Sequence, residues 1–101
     1  MKTLITAIAL TLAATTAQAD ELSADKICPK LSEIAASFME ARQSGVSMAK
    51  LMEIAGDSTL LKAMVVDAFE VSRYSTPELR ARKVEDFRDG VYLSCYRELS
   101  R

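Results

Sequence analysis

Apolar positions in this chain fall into one continuous run followed by four periodic segments. The run, from Leu4 to Ala14, sits behind a lone positive residue, Lys2, and leads to the small residues around Ala17-Gln18-Ala19. That three-part order predicts a signal peptide over residues 1–19, cleaved after Ala19. A membrane span needs roughly 20 mostly apolar residues, and this run is too short. No cysteine follows it to carry a lipid. The expected mature product, residues 20–101, is a single helical domain, periplasmic or secreted, with no stable membrane anchor after cleavage.

Beyond a polar lead-in over residues 20–26, Cys28-Pro29 reads as the start of a first helix, because proline is tolerated in the first turn. The spacing predicts that helix from about Pro29 to Ser44, with Ile27, Leu31, Ile34 and Phe38 on one face and Gly45 as its left-handed stop. Ser47 can cap a short second helix carrying Met48, Leu51, Met52 and Ala55, which Gly56 ends. Asp57 or Ser58 then caps a third helix to about Ser72, with Leu61, Met64, Val65, Ala68 and Phe69 as its stripe. Leu60 and Val71 broaden that stripe, so this helix is expected to be the most buried. Ser75-Thr76-Pro77-Glu78 has the form of a capping box, with Ser75 as the cap, and the last helix should continue to about Glu98. Its expected core line is Val84, Phe87, Val91 and Cys95, flanked by Tyr92 and Leu99. Gly90 interrupts its interior and marks a close contact or a bend.

Composition adds the tertiary constraint. The chain holds two cysteines, Cys28 and Cys95, which an oxidising compartment would join in the one available pairing. No His accompanies them and neither has a CxxC neighbour, so a metal site or redox pair is disfavoured. Closing so long a loop is worth about 4 kcal/mol on loop-entropy grounds. A bond between the start of the first helix and the end of the last requires those ends to meet. The expected fold is therefore all-α: a compact bundle of about four helices, its terminal helices antiparallel and joined by one disulfide. Cleavage removes Lys2, leaving 12 basic residues against 14 acidic ones, a balance that predicts no nucleic-acid partner.

Candidate chemistry is sparse. His and Trp are absent, and there is no Gly-rich phosphate loop and no GxSxG. The expectation is a protein that is not an enzyme, with no cofactor, no metal and no catalytic residue. Glu85, Asp86 and Asp89 form the one cluster with acid–base or cation-holding potential, against the simpler reading of a solvated helix face. Arg80-Ala81-Arg82-Lys83 opposes the helix dipole near the start of the last helix, to be neutralised by Glu78, Glu85 and Asp86 or by a partner. Arg42, Arg73 and Tyr74 stand at helix ends, either satisfying terminal carbonyls or facing a ligand. Tyr92 and Tyr96 share a face beside Cys95, as cover over the disulfide or as the rim of an apolar groove. These five residues make up the candidate binding surface. Met39, Met48, Met52 and Met64 suit a core or an adaptable groove beside the second helix.

Taken in order, Cys28, Arg42-Gln43-Ser44-Gly45-Val46-Ser47, Ala68-Phe69, Arg73-Tyr74, Phe87 and the closing Tyr92 to Cys95 resemble small exported Gram-negative and prophage-borne proteins of unknown function. The resemblance implies export and a single disulfide, and carries no activity. In architecture alone the domain is similar to the acid-stress periplasmic chaperones, without a motif match. The expected function is a non-enzymatic periplasmic protein-interaction or stress-related module, with a protein partner or client. One alternative is a small carboxylate-dependent hydrolase or cation-dependent enzyme built on Glu85, Asp86 and Asp89. Another is a secreted inhibitor of a cell-wall enzyme, presenting the turn from Arg73 to Pro77.

Overall fold

The structure, a computed structural model, describes residues 23–100. The signal peptide expected over residues 1–19 lies outside them. Four helices follow in order: α1 (Ala24–Ser44), α2 (Met48–Ala55), α3 (Thr59–Glu70) and α4 (Pro77–Leu99), with no strand among the described residues. None of these helices is long and apolar enough to cross a membrane.

Helix α1 begins earlier than the proline suggests. The Ser23 carbonyl accepts from the Lys26 and Ile27 N–H groups at 3.1 Å, so Pro29 lies inside the helix, and the segment expected to be frayed contributes the buried Ala24. The helix ends where predicted, at Gly45, whose φ of 93° is left-handed. Ser47 caps α2 by accepting from the Lys50 N–H at 3.2 Å, and Ser58, rather than Asp57, caps α3 by accepting from Leu61 at 3.1 Å. Helix α3 stops at Glu70, two residues short of the expected end. At α4 the cap is Thr76, which accepts from the Leu79 N–H at 3.3 Å. This places Pro77 at the first helical position and moves Ser75 outside the helix, so the Ser75–Glu78 capping box does not form.

Helices α1 and α4 pair antiparallel along their length. Pairs joining them run from Cys28 with Cys95, through Glu33 with Arg88, to Met39 packed with Val84; as one number rises the other falls. Cys28 and Cys95 are bonded, with Cα atoms 5.6 Å apart. The α2–α3 hairpin packs on α1, bringing Leu51, Ala55, Met64 and Val65 against Ala35 and Phe38. A second cluster joins Ala36 and Met39 to Ala68 and Val84.

The most buried helix is α1, not α3. Its inner stripe is Cys28, Ser32, Ala35, Ala36, Met39 and Gln43, all at most 3% exposed. Short side chains there let helices approach closely, which displaces the expected Ile27 and Leu31 to the flank and leaves Ile34 37% exposed. In α3, Leu60 is 54% exposed. In α4 only Val84 is buried; Phe87, Val91 and Cys95 are half-buried, because the surface beyond them is open.

Candidate functional site: an apolar groove beside the disulfide

The opening beside α4 is a groove of about 680 Å³. Helix α1 supplies Ile27 and Leu31 as one wall, and α3 supplies Leu60, Ala63 and Met64 as the other. Along the floor runs α4, with Phe87, Val91 and Leu99 as apolar contacts and Cys95 of the disulfide among them. Gly90 sits in this floor, and a Cβ built there would meet nothing within 4 Å. The glycine therefore marks open space and no close helix contact, the first of the two readings expected of it. Three carboxylates, Asp67, Asp86 and Glu98, stand among the lining residues, and no Lys or Arg does among the described residues. Asp86 reaches Lys83 only at 4.0 Å.

The groove exists because of how the bundle is wedged. The hairpin packs on α1 at Ala35 and Phe38, so among the described residues α3 borders the disulfide end of the α1–α4 pair only through the groove wall of Leu60, Ala63 and Met64. Leu60 and Leu99, 54% and 43% exposed, bracket the resulting gap. Met64 is the one methionine lining it; Met39 and Met64 are buried in the core, the first of the two roles open to the methionines, and Met48 is 37% exposed.

The five residues of the expected binding surface do not converge. Arg42 donates from Nε to the Val71 carbonyl at 3.2 Å and lies over the Phe69 ring, 4.6 Å from its centroid. The Arg73 guanidinium lies against Gly45, where an added Cβ would come within 3.1 Å of it. Tyr74 gives its N–H to Gln43 Oε1 at 2.9 Å, its carbonyl accepts from Arg80 Nε at 2.6 Å, and its ring faces Lys83 at 5.3 Å. These three residues fasten the α3–α4 turn to the end of α1. Tyr92 and Tyr96 lie some three turns or more further along α4 and are not among the residues lining the groove. Tyr92 is half-buried and Tyr96 46% exposed.

Glu85, Asp86 and Asp89 also separate. Asp86 faces the apolar groove, whereas Glu85 lines a smaller polar depression of about 440 Å³ shared with Glu40, Arg80 and Arg88; Asp89 lines neither. All three are exposed, and no group of three acidic, His or Cys side chains among the described residues is arranged to hold a metal ion. Sequence reasoning missed Leu60, Gly90 and Asp67 as site residues. The available signal was Gly90 on the apolar face of α4, one turn from Phe87 and adjacent to Val91.

No family model, no curated protein and no solved structure matches this chain.

Proposed function

We propose that this protein is a non-enzymatic interaction module that works outside the cytoplasm and holds a protein partner or client in the groove beside its disulfide. The observation that carries the reading is the groove itself. A domain this small has few apolar side chains to spare from its core, and a concave, mainly apolar opening of about 680 Å³ with a few polar groups at it has the form of a binding site. Export rests on the N-terminal pattern, and a closed cystine agrees with an oxidising compartment. The dispersal of the acidic cluster over separate surfaces favours binding over acid–base chemistry, which needs its groups to face one reacting atom.

Photo-crosslinking in intact cells tests this. A photoreactive benzoylphenylalanine in place of Ser94, in the groove, is expected to give a discrete adduct with one partner or a restricted set of clients. The same group in place of Lys50, exposed on α2, is expected to give none. Equal adducts from both positions, or none from Ser94, would overturn the reading.

A further inference from the structure

Resting on that reading, we infer that the groove takes a basic amphipathic helix, a peptide segment of about four turns whose apolar stripe fills the floor and whose Lys or Arg residues meet Asp67 and Asp86. Charge complementarity is the first argument. The lining is apolar with carboxylates at its edges and, among the described residues, no cation. Asp67 makes no hydrogen bond or ion pair with any described residue, and Asp86 has only Lys83 at 4.0 Å. An anionic amphiphile such as a fatty acid would bring like charge against these carboxylates, which disfavours it.

Dimensions give the second argument. The α4 floor runs from Asp86 to Leu99, about 20 Å at 1.5 Å per residue. A helix of about 13 residues matches that length and presents anchors at i, i+3, i+4 and i+7, the usual form of helix-in-groove recognition. A second copy of this chain is a poor occupant. A two-fold pairing of the groove would bring acidic edge to acidic edge. Two residues of the chain's own basic patch are engaged at home, Arg80 on the Tyr74 carbonyl and Lys83 against the Tyr74 ring.

Gly90 makes the proposal testable without disturbing the fold. Its Cβ position is open and leucine is the better helix former, so Gly90→Leu should fold normally while filling the groove. The experiment titrates the oxidised mature protein with three 14-residue helical peptides sharing one Leu stripe and differing only in Lys, Gln or Glu flanks, read by fluorescence anisotropy. The Lys peptide is expected to bind roughly tenfold more tightly than the Glu peptide, since two or three exposed charge pairs change sign. Its affinity should weaken between 50 and 500 mM salt (about the range over which exposed charges become screened). Gly90→Leu should remove binding, and Asp67→Asn with Asp86→Asn should erase the preference for Lys.

Equal binding of all three peptides, or binding of the Lys peptide unaffected by Gly90→Leu, would overturn the inference. So would a cationic alkylamine binding as tightly as the peptide, or a concentration-dependent dimer abolished by Gly90→Leu. Failure of every peptide would overturn it too. If the Ser94 crosslink persists in that case, the interaction reading survives and only the chemistry assigned to the partner is lost.

Discussion

Among single residues, Gln43 does the most to hold the chain's two halves in register. It is 2% exposed, and its amide behaves as a surrogate peptide group: Nε2 donates to the Ser72 carbonyl at 2.9 Å while Oε1 accepts from the Tyr74 N–H at the same distance. Both backbone groups belong to the turn between α3 and α4, which no secondary structure satisfies. Gln43→Leu would keep the volume and remove both hydrogen bonds, which are part-buried and worth about 0.5–1.5 kcal/mol each. A loss of about 1–3 kcal/mol in urea unfolding is expected, and Gln43→Glu should cost no less, because it sets a buried carboxylate against the Ser72 carbonyl. A loss under about 0.5 kcal/mol for Gln43→Leu would mean that the turn does not depend on this side chain. The same site explains Arg42 and Arg73. Of the two roles the sequence allows these side chains, capping carbonyls or facing a ligand, Arg42 takes the first by donating to the Val71 carbonyl, while Arg73 lies against Gly45.

Helix boundaries test a finer prediction. Thr76, not Ser75, accepts from the first turn of α4, although a hydroxyl three residues before a Glu made Ser75 the expected cap. Pro77 decides the outcome, because proline is best placed at the first helical position, one residue after the cap. Thr76→Ala should therefore cost about 1 kcal/mol, the usual value of an N-cap, and Ser75→Ala should be neutral within error. Urea denaturation of the two variants side by side distinguishes the assignments, and the reverse order of costs would restore the capping box. The number, order and approximate ends of the helices were legible because Gly45, Gly56, Ser47, Ser58 and Pro77 act locally. The inner face of α1 was legible only in part, at Phe38 in the core and Leu31 packed beside it. Periodicity weights large apolar residues, whereas close helix packing selected Cys28, Ser32, Ala35 and Ala36, a stripe one residue out of phase with Ile27 and Leu31. The groove was illegible for the same reason: the larger side chains that pattern reading assigned to the core are the ones left to line an opening.

Across the whole molecule, packing is uneven, and the disulfide stands at the weak end. Buried side chains concentrate where the hairpin covers α1, between Ala35 and Gln43 on α1 and Leu51 to Ala68 on the hairpin. Toward the disulfide, α4 offers no buried residue after Val84, whereas Ala24, Cys28 and Ser32 are buried on α1, so the bond ties the more exposed end of α4 to a buried stripe of α1. The bond closes a loop with a sequence separation of 67, worth about 4 kcal/mol on entropy grounds, and Cys95→Ala should cost about 2–5 kcal/mol with a sharp fall in Tm. The uneven packing adds a spatial expectation. Reduction should release hydrogen-exchange protection first at residues 91–99 of α4, through local opening, while residues 35–43 and 61–68 exchange only with global unfolding. A uniform loss along both helices would show that the staple acts on the domain as one cooperative unit. Because Val91, Cys95 and Leu99 line the groove, the segment freed by reduction is part of its floor. A dithiol added to the loaded protein should therefore expel the bound helix at temperatures where the remaining core is still folded, and peptide anisotropy followed alongside far-UV circular dichroism would separate those two events.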